Sequence, residues 1–183
     1  MERLHKAAVL LSLAETLRDR GSWCGETHLQ KAAYLLKEML GVPLDVDFVL
    51  YKHGPYSFDL TDDLARFKAD GILQEEIMPF PYGPKIKPGQ LAGQIKAKYP
   101  KTTAKYLPAV QFVADNLGAG KVTMLEQLAT ALYVTREGVA GDDVTARARR
   151  LHDLKPHVTL DDAREAVDRV DKMMRECRQL PAA

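Results

Sequence analysis

In Tyr51-Lys52-His53-Gly54-Pro55-Tyr56-Ser57-Phe58-Asp59-Leu60, a strand-like run meets Gly-Pro, breaks, and restarts as a helix. Upstream, Val46, Phe48 and Leu50 alternate with Asp47, Val49 and Tyr51, the period of a half-buried strand. Pro55 has no N–H to give to a sheet ladder and Gly54 permits a turn, so the pair predicts a strand-to-helix corner. Ser57 is then the expected N-cap, and Asp59, Asp62 and Asp63 suit the positive end of the helix dipole. Leu60, Leu64 and Phe67 give that helix, over about residues 58–70, its apolar stripe, and Gly71 closes it.

Working outward, Leu4, Ala7, Ala8, Leu11, Ala14 and Leu17 predict an amphipathic helix ending near Gly21. Thr27 and Gln30 have the spacing of a capping box for a second helix, with Leu29, Ala32, Ala33, Leu36 and Leu40 on its core face and Gly41 at its end. On the other side, "ILQEEIMPF" reads as a strand, Gly83-Pro84 as a turn and "KIK" as a return strand. Helix, helix, strand, helix, strand, strand is the winged-helix order, and the helix over 58–70 stands where a recognition helix would stand. Beyond it the chain reads as helical. Val110, Val113 and Leu117 mark one helix, a second capping box at Thr123 and Glu126 opens another, a third runs near 143–153, and Thr159 caps the last. The predicted fold is α+β and mainly helical: a winged-helix-like part with a small antiparallel sheet over 1–90, and a helical extension over 91–183 packed on it. The Pro/Gly/Lys-rich stretch at about 79–105 reads as the boundary.

The chain has 183 residues, 46% hydrophobic and 28% charged, with a formal net charge of +1. That is enough chain to bury a core without staples, and the near-zero charge gives no global pull toward nucleic acid or membrane. Cys24 and Cys177 lie far apart and read as idle thiols of a reducing compartment. The first residues lack a signal-peptide pattern and no apolar run reaches membrane-spanning length, so a cytoplasmic protein is expected.

Charge is uneven. Residues 77–114 hold Lys85, Lys87, Lys96, Lys98, Lys101 and Lys105 with no acidic residue, interleaved with Tyr82, Tyr99 and Tyr106. Lysines neutralise phosphates and tyrosines stack on exposed bases, so the expected nucleic-acid or partner-binding residues are Lys52, His53, Tyr56, Lys85, Lys87, Lys96 and Lys98. The absence of arginine argues against base-edge readout. "NLGAGKVT" at 116–123 is not a phosphate loop, because Asp115 and Val122 stand where the pattern needs Gly and Ser or Thr. Cys24 and His28 are four apart, and His152 and His157 flank Pro156, but neither pair makes a ligand set, so no metal and no cofactor are expected. Cys24 precedes a helix N-terminus without an identifiable histidine base, and Asp62-Asp63 and Asp161-Asp162 read as helix-start charges. The sequence therefore predicts no enzyme.

The residues from "LQKAAYLL" through "DFVLYKHGPYSFDLTDDLARFKADGIL" resemble the YwgA-like family of uncharacterised prokaryotic proteins, and more distantly the Panacea domain of antitoxins related to SocA. The shared pattern comprises Leu29, Gln30, Lys31 and Tyr34 on a helix, then Lys52, Gly54 and Pro55, then a helix ending at Gly71. "LATALYV" and "LKPHVTLDDAREAV" are weaker echoes in the C-terminal half. The YwgA-like resemblance implies no activity. The Panacea resemblance implies an interaction module that neutralises a toxin by direct binding. Two expectations follow: a regulatory module contacting nucleic acid through helix 58–70 and a basic wing, or an antitoxin-like protein that binds a partner protein.

Overall fold

A computed structural model describes residues 1–180. The chain is α+β and mainly helical, with two small antiparallel sheets among the described residues. In chain order the elements are α1 (Arg3–Asp19), α2 (Glu26–Glu38), β1 (Val49–Tyr51), β2 (Gly54–Tyr56), α3 (Phe58–Ala69), β3 (Leu73–Glu76), β4 (Lys85–Pro88), α4 (Ala92–Lys98), α5 (Pro100–Leu117), α6 (Val122–Glu137), α7 (Val144–Leu154) and α8 (Leu160–Cys177).

The interior follows from α1, whose middle, "KAAVLLSLA" from Lys6 to Ala14, is buried on every side. An apolar helix of this kind needs neighbours all round, and α1 has them in α2, α4, α5 and β4. It lies parallel to α5: His5 near its start meets Thr102 (Nδ1 to Oγ1, 2.6 Å), and Arg20 just past its end meets Asp115. The core continues through α6 into α8, where Ala163, Ala166, Val167, Val170 and Met173 face inward. Arg147 of α7, itself buried, makes two 2.7 Å bonds to the Asp171 carboxylate and so ties α7 to α8.

The Gly54–Pro55 corner is displaced from its expected place. β1 and β2 form a tight hairpin that turns at Lys52-His53, and Gly54 and Pro55 belong to its second strand, opposite Tyr51 and Leu50. A two-stranded ribbon is all edge, and there a proline needs no N–H partner. Gly54 has φ +85°, which favours glycine, and a Cβ there would lie 3.0 Å from Thr130 Oγ1. The true corner is Ser57, whose hydroxyl accepts from the Leu60 N–H at 3.1 Å, as an N-cap should. Ser57→Ala is expected to lower the unfolding free energy by about 1 kcal/mol. Denaturant titration would show a lower midpoint at unchanged slope, and an unchanged midpoint would refute the cap.

The two expected capping boxes are corrected. α2 starts at Glu26 behind Gly25 and α6 starts at Val122 behind Lys121, with no side-chain cap at either. The Gln30 amide and the Glu126 carboxylate are used instead in contacts with other elements. Thr159 does cap α8, accepting from the Asp162 N–H at 3.1 Å. The lysine-rich stretch expected as a boundary holds β4, α4 and the start of α5. Pro100 occupies the first turn of α5, where its missing N–H is harmless.

Candidate functional site

The β1–β2 hairpin is held from below by polar side chains of three other elements. On α2, Gln30 clamps the corner: its Nε2 donates to the Ser57 carbonyl (2.8 Å), and its Oε1 accepts from the Ser57 N–H (2.9 Å). The next residue, Lys31, is only 2% exposed and donates from Nζ to the Pro55 carbonyl at 2.8 Å. From the α7–α8 connection, Lys155 donates to the carbonyls of Tyr51 (2.7 Å) and Lys52. The "LQK", "KHGPYS" and "LKPH" segments, separate in sequence, thus meet at one place.

Glu126 of α6 lies at the centre and is 5% exposed. Its Oε1 is 3.8 Å from Lys155 Nζ and 3.3 Å from His157 Nε2, and its Oε2 is 3.5 Å from His53 Nδ1. No hydrogen bond of good geometry reaches Oε1 among the described residues. Burial pushes the Lys31 ammonium down to about 8; Glu126 opposes this and Lys155 adds to it. Burial also lowers Lys155, again against Glu126. A lysine that loses its proton more readily folded than unfolded makes the folded state bind fewer protons, so stability rises with pH across that window. The Lys31 contribution therefore increases from about pH 8 toward 10.5. The Cys24 thiol, which burial pushes up to about 12, acts in the opposite direction above pH 9. Thermal melts of native protein and Lys31→Met between pH 7.5 and 9 should show a more positive pH slope for the native chain, and equal slopes would refute the assignment.

Beside the cluster is a cavity of about 320 Å³ lined by Glu26, Thr27, Gln30, Lys31, Tyr51, His53, Gly54 and Tyr56. Its outer wall continues into an aromatic group: Tyr56 packs on Phe58 at 5.0 Å and on Tyr51 at 5.8 Å, with Tyr51 and Phe58 5.9 Å apart. Tyr51 and Phe58 are 58% and 59% exposed. The adjoining outer face of α3 carries exposed Asp59, Asp62 and Arg66, while Asp63 is buried against Lys6 at 2.7 Å.

The seven residues expected to contact a partner divide among three elements. Lys52, His53 and Tyr56 share the β1–β2 hairpin. Lys85 and Lys87 lie on β4 facing an acidic strand, with Lys85 opposite Glu76 and Lys87 opposite Gln74. The Lys85 ammonium sits 4.3 Å above the Trp23 ring. Lys96 of α4 pairs with Glu15 at 2.9 Å, and Lys98 is exposed at the end of that helix. In the loop that joins β3 to β4, Ile77 and Phe80 are 90% and 97% exposed, so that tip is apolar.

Sequence reasoning missed Glu126, Lys155 and His157. By sequence Glu126 reads as part of a cap, Lys155 only as part of the "LKPHVTLDDAREAV" echo, and His157 as a member of that echo and of a rejected metal-ligand pair. Cys24 is buried with a thiol too weakly acidic for a nucleophile. Among the described residues no three His, Cys, Asp or Glu side chains converge as metal ligands, and no helix is long and apolar enough to cross a membrane. No family model matches the chain, and comparison with curated proteins finds no match.

Proposed function

We propose that the protein is a non-catalytic binding module that docks a partner protein on the Tyr51–Tyr56–Phe58 surface and the adjoining face of α3. The observation that carries this reading is three packed aromatic side chains, two of them well exposed, on a hairpin fixed from beneath by Gln30, Lys31 and Lys155. Aromatic anchors on a rigid base bind with little ordering cost. The resemblance of the Lys52, Gly54 and Pro55 pattern to the Panacea domain points the same way. A protein that co-purifies with the native chain would be identified, purified and titrated against native chain and the Tyr51→Ala/Phe58→Ala variant. The variant is expected to bind roughly tenfold or more weakly, as hot-spot aromatics do. An unchanged affinity would refute the reading.

A nucleic-acid reading is favoured by one observation: Lys98, Lys101 and Lys105 are exposed along α4 and α5, in a stretch without acids. The acidic outer face of α3 and the carboxylates of Glu75 and Glu76 on β3, beside the β4 lysines, count against contact through those elements. If the three lysines bind phosphates, affinity for generic duplex falls with salt, and Lys98→Gln/Lys101→Gln/Lys105→Gln flattens the log–log slope by roughly 2 to 3. No binding by the native chain at low salt would remove this reading.

A further inference from the structure

We propose that the cavity beside the β1–β2 hairpin receives the guanidinium of an arginine side chain presented by the docked partner. The inference rests on the docking reading above and gives that surface its specificity. Among the residues lining the cavity are two tyrosines and one carboxylate, Tyr51, Tyr56 and Glu26, beside the basic Lys31 and His53. Ring faces attract a cation, and a carboxylate offers two oxygens to the planar fork of a guanidinium.

The hydrogen bonds orient this site. Thr61 Oγ1 lies 2.8 Å from Glu26 Oε1, 2.6 Å from Tyr56 Oη and 3.0 Å from Gln30 Nε2. Its hydroxyl has one proton, and the carboxylate can only accept, so that proton goes to Glu26. Tyr56 then donates to Thr61, and its remaining lone pair is left as an acceptor. Glu26 Oε2 has no hydrogen-bond partner among the described residues. The lining groups thus offer acceptors together with two aromatic rings. The two basic groups at the cavity both face the Glu126 carboxylate: Lys31 Nζ, which also donates to the Pro55 carbonyl, has it as counter-charge, and His53 Nδ1 lies 3.5 Å from its Oε2. Exposed Asp59 and Asp62 follow Phe58 on α3 and add negative charge to the proposed docking face. A volume of about 320 Å³ has room for an arginine head and its inner methylenes.

The first test titrates N-acetyl-arginine methylamide into the isotope-labelled chain and follows the amide resonances of Thr27, Tyr51 and Tyr56. The citrulline analogue, of the same shape but uncharged, and N-acetyl-aspartate methylamide are run alongside. Saturable shifts with the arginine probe are expected, at least about tenfold weaker with citrulline, and absent with the aspartate probe. Glu26→Gln keeps an acceptor for Thr61 and is expected to abolish the arginine shifts. Equal binding of citrulline, preferential binding of the aspartate probe, or no saturable shift would overturn the proposal. The partner titration separates the two readings. If Tyr51→Ala/Phe58→Ala weakens the partner but Glu26→Gln does not, the arginine site is wrong and the docking surface stands. If neither variant weakens it, both are wrong.

Discussion

Glu126→Gln is expected to lower the unfolding free energy by about 3 kcal/mol or more, the range for removing one partner of a buried ionic group. The substitution keeps shape and volume, so no cavity is made and the loss is one of charge. Glu126 is the carboxylate whose field favours the charged forms of both Lys31 and Lys155. Without it, two ammonium groups remain buried close together, and each must lose its proton or draw water into the core. Their bonds to the Tyr51, Lys52 and Pro55 carbonyls hold the hairpin, so its amides should also lose hydrogen-exchange protection. Denaturant unfolding of native and variant chains measures the first effect. A loss below about 1 kcal/mol would mean that the lysines do not depend on Glu126 as counter-ion.

Phe67→Ala is expected to cost about 3–5 kcal/mol, as for other fully buried aromatic side chains. Phe67 is 0% exposed and ends the inner stripe of α3 begun by Leu60 and Leu64. The Arg3 guanidinium lies 5.7 Å from its ring centroid, so the ring also supports a cation–π contact to α1. In a chain of 183 residues the loss corresponds to a fall in melting temperature on the order of 10 °C. Ala65→Ser, on the exposed side of the same helix, should change stability by less than about 0.5 kcal/mol. Equal effects at the two positions would mean that α3 is not anchored by its apolar stripe.

What could be read from sequence is what depends on near neighbours. Ser57 was legible as a cap because a hydroxyl and an N–H three residues on are a local pair. Gly54 was legible as a turn former, but whether Pro55 leaves a sheet or joins an edge strand depends on where the ladder lies. The second half of α5 was legible from Val110, Val113 and Leu117, but its first half was obscured by Pro100 and Pro108, although Pro100 sits where a helix tolerates it. The lysine run was read as a free basic surface, yet Lys96 finds Glu15, 81 residues earlier, and no periodicity records such a pairing. The same limit hid the candidate site. Its polar groups come from α2, the hairpin, α6 and the α7–α8 connection, and each has an ordinary local explanation taken alone.

The parallel packing of α1 against α5 has a consequence for how the chain is made. Synthesis delivers α1 first, but its covering helix is complete only when Leu117 has been added, about 100 residues later. At about 5–20 residues per second this interval is roughly 5–20 s, far longer than a helix needs to form. For that time α1, whose Lys6–Ala14 segment is sealed in the finished protein, lacks its most extensive neighbour. The nascent chain thus leaves the ribosome with a helix destined for the core still uncovered, and a message broken anywhere before the end of α5 yields a sticky fragment.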